Sequence, residues 1–93
     1  MSRELAPDAN TFAVQVGSTE PVQVVKSNPR RKALLLYNNG SATIYLLSAQ
    51  NKRATDGIPI PTNSAYQNDD CYGPYWAIAA SGTQDLRVEE DGE

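Results

Sequence analysis

Histidine is absent from this 93-residue chain. That removes the usual general base near neutral pH, the Ser–His and Cys–His nucleophile pairs, and the commonest protein metal ligand. Cysteine occurs once, at Cys71, so no intramolecular disulfide can form and no zinc site can be built from thiolates. Cys71 reads as a half-buried small side chain beside the strand that follows it. No apolar run approaches the roughly 18 residues of a membrane-spanning helix, and the first residues lack the apolar core of a signal peptide. The expectation is a soluble protein made in a cytoplasm, without membrane contact. No glycine-rich phosphate loop follows a strand, and no Walker or dinucleotide motif is present. An excess of positive charge is missing too: 8 Lys and Arg face 11 Asp and Glu, for a net charge of −3. This balance argues against general nucleic-acid binding.

What is present has strand character. The chain is 40 % hydrophobic and 20 % charged, enough apolar content to exclude disorder of the whole, and its length makes one domain. Residues 1–10 are polar, without a period, and read as a flexible or docking arm. From Thr11, Phe12, Val14 and Val16 alternate with Ala13 and Gln15, the pattern of a half-buried strand. Gly17 to Pro21 is a turn, Val22 to Val25 a second short strand, and Ser27-Asn28-Pro29 ends it.

The most apolar stretch is Arg31 to Ser48. Its two arms, near 31–38 and 42–48, flank Asn39-Gly40, a strong hairpin signal because both residues tolerate positive φ. The expectation is a central β-hairpin. Leu34 and Leu36 would lie on one face of its first arm, and Ala33, Leu35 and Tyr37 on the other. A strand apolar on both faces is covered on both. A chain this short is not expected to supply both covers itself, so a homo-oligomer is expected, a trimer being favoured. Leu34, Leu36, Tyr45, Leu47 and Trp76 are its candidate interface residues.

Residues 49–57 read as polar loop. Ile58-Pro59-Ile60-Pro61 must be an edge segment, since proline cannot donate to a ladder. Asn63 suits a left-handed turn position. A weak strand covers Ala65 to Asn68, a strong one Tyr75 to Ala80, and a last one begins at Gln84, with Leu86 and Val88 inward and Arg87 and Glu89 outward. Seven to eight short strands with turns between them predict an all-β fold, a compact antiparallel β-sandwich or barrel, jelly-roll- or Ig-like. It would occupy 11–90, followed by an acidic tail at 91–93.

Few residues carry chemistry. Asp69-Asp70, with Asn68, could hold a weak calcium ion, but neighbours in an extended segment point to opposite sides, and a solvated loop is the favoured reading. No catalytic residue, metal or cofactor is expected. Lys26, Arg30, Arg31 and Lys32 form a basic cluster, and Lys52 and Arg53 a smaller one. Arg30, Arg31, Lys32, Lys52 and Arg53 are the candidate contacts to an acidic partner, set against ordinary solvated loop charge. The tyrosines and Trp76 raise sugar stacking as an alternative, although Trp76 within Tyr-Trp-Ala-Ile-Ala-Ala fits core or a subunit interface better.

The run Asn28-Pro29-Arg30-Arg31, the apolar strand ending Tyr37-Asn38-Asn39-Gly40, then Ile44-Tyr45-Leu46, Gly57-Ile58-Pro59-Ile60-Pro61, the Tyr75-to-Ala80 strand, Ser81-Gly82-Thr83 and Leu86-Arg87-Val88-Glu89-Glu90 together resemble the small β-sandwich virion proteins of tailed bacteriophages. These serve as head decoration (cement) proteins or as modules of head fibres. The resemblance covers residues 12–90, a pattern of strands and turns without a catalytic motif. Relatives of that type often carry Gly where this chain has Asn63. The resemblance implies a non-enzymatic structural virion protein on the outer surface of the head, made in the bacterial host cytoplasm, with the phage major capsid protein as partner. The alternative is a host-surface or glycan-binding module of a fibre.

Overall fold

The computed structural model describes residues 10–50, 52–68 and 73–92. They form β1 (Asn10–Val16), β2 (Val22–Val25), β3 (Arg31–Asn38), β4 (Ile44–Leu47), a single 3-10 turn (Ala54–Asp56), β5 (Ile58–Ile60), β6 (Ala65–Asn68), β7 (Tyr75–Ala79) and β8 (Gln84–Gly92). Of the expected arm at 1–10, residues 1–9 lie outside the described residues, as do Asp69, Asp70 and Cys71, while Asn10 already belongs to β1 and pairs with Glu90.

Two four-stranded sheets result, ordered β1-β8-β3-β6 and β2-β7-β4-β5. Every pairing is antiparallel. The first strand pairs with the eighth, the second with the seventh, the third with the sixth and the fourth with the fifth. The chain is therefore one long hairpin, rolled so that β3 also meets β8 and β4 meets β7. That is the jelly-roll form of the β-sandwich.

Local chemistry fixes each strand's place. Val14 and Val16 of β1 face Leu86 and Gln84 of β8 across the pairing, while Thr11, Ala13 and Gln15 are exposed. β5 takes an edge of the second sheet, as Pro59 requires. Asn63 adopts the left-handed conformation, φ 62°, between β5 and β6, and Gly82, φ 61°, turns the chain between β7 and β8. The inner faces meet in one core that includes Val16, Leu34, Leu36, Ile44, Ile60 and Leu86. Burying a side chain of this kind contributes about 1.5–3 kcal/mol. β8 runs on through Asp91, which pairs with Ala33 instead of lying in an acidic tail.

The expected hairpin is overturned. β3 and β4 lie in different sheets and do not pair. A two-residue hairpin turn needs positive φ, and neither Asn39 nor Gly40 adopts it. The preceding residue directs the chain instead. Asn38 is fully buried. Its Oδ1 accepts the Gly40 N–H at 2.9 Å, and its Nδ2 donates to the carbonyls of Ala42 and Ile60, each at 2.8 Å. These bonds carry the chain across from one sheet to the other. Gly40 is required for space: a Cβ there would overlap the Gln84 side chain.

Candidate functional site

Strand direction gathers the cations. β2 and β4 both run antiparallel to β7, so their last residues lie together, Val25 opposite Tyr75 and Leu47 opposite Trp76. β1 begins opposite Glu90, and β3 begins opposite Gly92. The 26–30 and 48–57 links, the start of β1 and the end of β8 thus share one end of the sandwich. Lys26, Arg30, Lys32, Lys52 and Arg53 are exposed there. The Arg53 side chain is 85 % exposed, with Nε 4.0 Å from Asp56 Oδ2. Two basic clusters far apart in sequence meet at one end of an acidic protein, an end they share with Asp56 and with Glu90 and Asp91 of β8. Ile58, at the start of β5 on the same end, is the exposed large apolar side chain, at 46 %.

Arg31 does not belong to that surface. It is buried. Its Nε donates to Glu90 Oε2 at 2.8 Å, Nη1 to the Gly73 carbonyl at 3.0 Å and Nη2 to the Lys26 carbonyl at 2.6 Å. Simple alternation would group Arg31 with Ala33, Leu35 and Tyr37 on the outer face. A register shift between Arg31 and Ala33 turns it inward, as an extra residue in a strand does. No feature of the Arg-Arg-Lys run distinguishes the middle residue.

The candidate oligomer set also divides. Leu34 and Leu36 are fully buried in the sandwich core. Leu47 is on the outer side of β4 but is covered by the 54–57 segment: a Cβ on Gly57 would come within 2.8 Å of Leu47 Cδ2. Those three side chains are covered by their own chain and leave nothing to present to another subunit. Tyr45 and Trp76 do lie half-buried on the outer face of the second sheet. The apolar outer residues of β3 are half-buried beside charged neighbours, Ala33 opposite Asp91, Leu35 opposite Glu89 and Tyr37 opposite Arg87. One chain thus covers the inner face of β3 fully and its outer face in part.

At the other end, amides seal the links. Gln84 Oε1 accepts the Ser41 N–H at 2.7 Å, and Nε2 donates to the Ser81 carbonyl at 2.8 Å. Asn39 Nδ2 donates to Asp85 Oδ2 at 3.1 Å, and Arg87 Nε donates to the same oxygen at 2.9 Å. The Asn39 bond, with help from Arg87, holds the Asp85 carboxyl below the ordinary carboxylate value, while its partial burial pulls the other way.

The outer faces differ. That of the first sheet carries Asp85, Arg87, Glu89 and Asp91 from β8. That of the second is aromatic and apolar, and holds a shallow groove of about 330 Å³ lined by Tyr45, Ile78, Ser18, Ala54, Thr55 and Ala80. Among the described residues no group of three or more Asp, Glu or Cys is placed to hold a metal. Ile58, Asn38, Gln84 and the groove are features that composition and spacing did not single out. No family model matches the chain, and no curated protein sequence matches it.

Proposed function

We propose that this chain is a non-enzymatic structural virion protein of a tailed bacteriophage, a decoration protein that binds the major capsid protein lattice through its basic end. The observation that carries the reading is the gathering of Lys26, Arg30, Lys32, Lys52 and Arg53 at one end of a protein of net charge −3. A charge separation of this kind orients the molecule toward an acidic surface and speeds its encounter. The fold itself recurs in capsid domains; that is support by analogy, since a fold hosts many functions.

The division of labour follows from magnitudes. Exposed ion pairs contribute about 0–1 kcal/mol each and weaken with salt, so the cations steer. Ile58 adds apolar area among them, and apolar burial supplies strength at about 25 cal/mol per Å².

The test is binding of purified protein to isolated, undecorated heads, read as occupancy against salt. Replacing Arg30, Lys32, Lys52 and Arg53 with Ser should reduce occupancy most at low salt, and Ile58→Ser should reduce it at every salt concentration. Wild-type occupancy by both variants would overturn this placement, and no binding of the parent protein at low salt would overturn the function.

A further inference from the structure

The groove on the outer face of the second sheet is bounded by Ala54 and Thr55 of the 3-10 turn, next in sequence to Arg53, and by Ser18 and the last residues of β7. We propose that it binds a neutral saccharide, one pyranose ring with its C–H face against Tyr45.

Charge selects the class of ligand. No Lys, Arg, Asp or Glu lines the groove. An anion or cation placed there would find no oppositely charged side chain in the lining. The ligand is neutral. Size limits it next: about 330 Å³ is at the small end of ligand pockets.

Polar chemistry decides between a sugar and an apolar peptide. Ser18, Tyr45 and Thr55 bring three hydroxyls to the lining, and none is hydrogen-bonded to a described residue. Each hydroxyl both donates and accepts, which matches the hydroxyls around a pyranose ring. An apolar side chain would make no use of them. Tyr45 brings an aromatic ring to the lining, and Ile78, directly opposite it across the β4–β7 pair, adds apolar surface.

The experiment is a titration of the ¹⁵N-labelled protein with the methyl glycosides of glucose, galactose, mannose and N-acetylglucosamine, followed by amide chemical shifts. At least one glycoside should shift Ser18, Tyr45, Thr55 and Ile78–Ala80 saturably in the millimolar range. Tyr45→Ala should weaken that affinity about tenfold. Thr55→Val, which keeps shape and removes one hydroxyl, should weaken it about fivefold, and it carries the test if Tyr45→Ala fails to fold. No saturable shift in this group at tens of millimolar of any glycoside overturns the proposal. So does binding unaffected by Thr55→Val, or tighter binding there of the neutral peptide acetyl-Leu-Ala-Pro-amide than of every glycoside.

Discussion

Arg31 and Glu90 join the beginning of β3 to the end of β8 through a 2.8 Å ion pair in which the guanidinium side chain is 1 % exposed and the carboxylate side chain 17 %. The pair does more than neutralise charge. The remaining guanidinium donors reach the carbonyls of Gly73 and Lys26, and Asn28 Nδ2 lies 3.4 Å from the same carboxylate oxygen. One side chain therefore ties together β8, the approach to β7 and the β2–β3 link. These are the parts that hold the basic end in shape. A planar fork with several fixed donors can do this, and a single ammonium cannot.

Arg31→Ala should accordingly destabilise the protein by about 3–5 kcal/mol, because it leaves Glu90 and two carbonyls without their partner. Arg31→Lys should recover only part of that loss. Arg30→Ser, one residue away and exposed, should change stability by no more than about 0.5 kcal/mol. Urea unfolding of the three variants measures this, and equal effects at both positions would remove Arg31 from its structural role.

Asn38 holds the corner where the chain leaves the first sheet for the second. Asn38→Leu preserves approximate size and deletes the side-chain bonds to Gly40, Ala42 and Ile60. Leaving a buried polar group without a partner costs about 1–3 kcal/mol, so a loss of at least about 3 kcal/mol is expected from the set. Asn38→Asp should also be destabilising at neutral pH, since it sets a negative charge against two carbonyl oxygens. Thermal or urea unfolding checks both, and a loss below about 1 kcal/mol for Asn38→Leu would show that the corner is fixed by packing alone.

Strand positions were legible in the sequence because they rest on local chemistry. Alternation placed Val14 and Val16 inward, Pro59 kept β5 at an edge, and Asn63 took the left-handed turn. The partners of strands were not legible, since pairing is a long-range property. Asn39-Gly40 marked a turn correctly but not its kind, because the choice between pairing β4 with β3 and sending it to the other sheet is made by Asn38 reaching Ile60, 22 residues on. The basic site was legible in composition and misread in membership: a bulge at Arg31 reverses the face on which alternation would put it. Its assembly from two clusters depends on β2 and β4 sharing β7 as a neighbour, which no spacing along the chain reveals.

Asp85 gives a pH signature. Its carboxyl is held low, first by the Asn39 amide and then by Arg87. In the unfolded chain it returns to the ordinary value, so between the two values the unfolded state binds more protons and stability rises with pH. The contribution is complete above the ordinary carboxylate value and is lost as acid takes the pH down through the folded one. Asn39→Ala should move the Asp85 titration upward in a carboxyl-carbon NMR experiment. An unmoved titration would assign the effect to Arg87 instead.

The last prediction concerns self-association. The apolarity of both faces of β3 suggested a second subunit, yet Leu34 and Leu36 are buried by the opposing sheet, and Ala33, Leu35 and Tyr37 are half-covered by neighbours in their own sheet. What remains is the outer face of the second sheet, with Tyr45 and Trp76, whose strands of only three to five residues give it a small outline. The purified protein should therefore sediment as a 10.1 kDa monomer at tens of micromolar. Assembly into a defined array would come from the capsid lattice, which places many copies side by side and makes weak lateral contacts effective through high local concentration. Trp76→Ser should leave the sedimentation of the free protein unchanged and lower only the cooperativity of head binding. A stable trimer in solution, dissociated by Trp76→Ser, would show that this face closes an interface larger than its outline suggests.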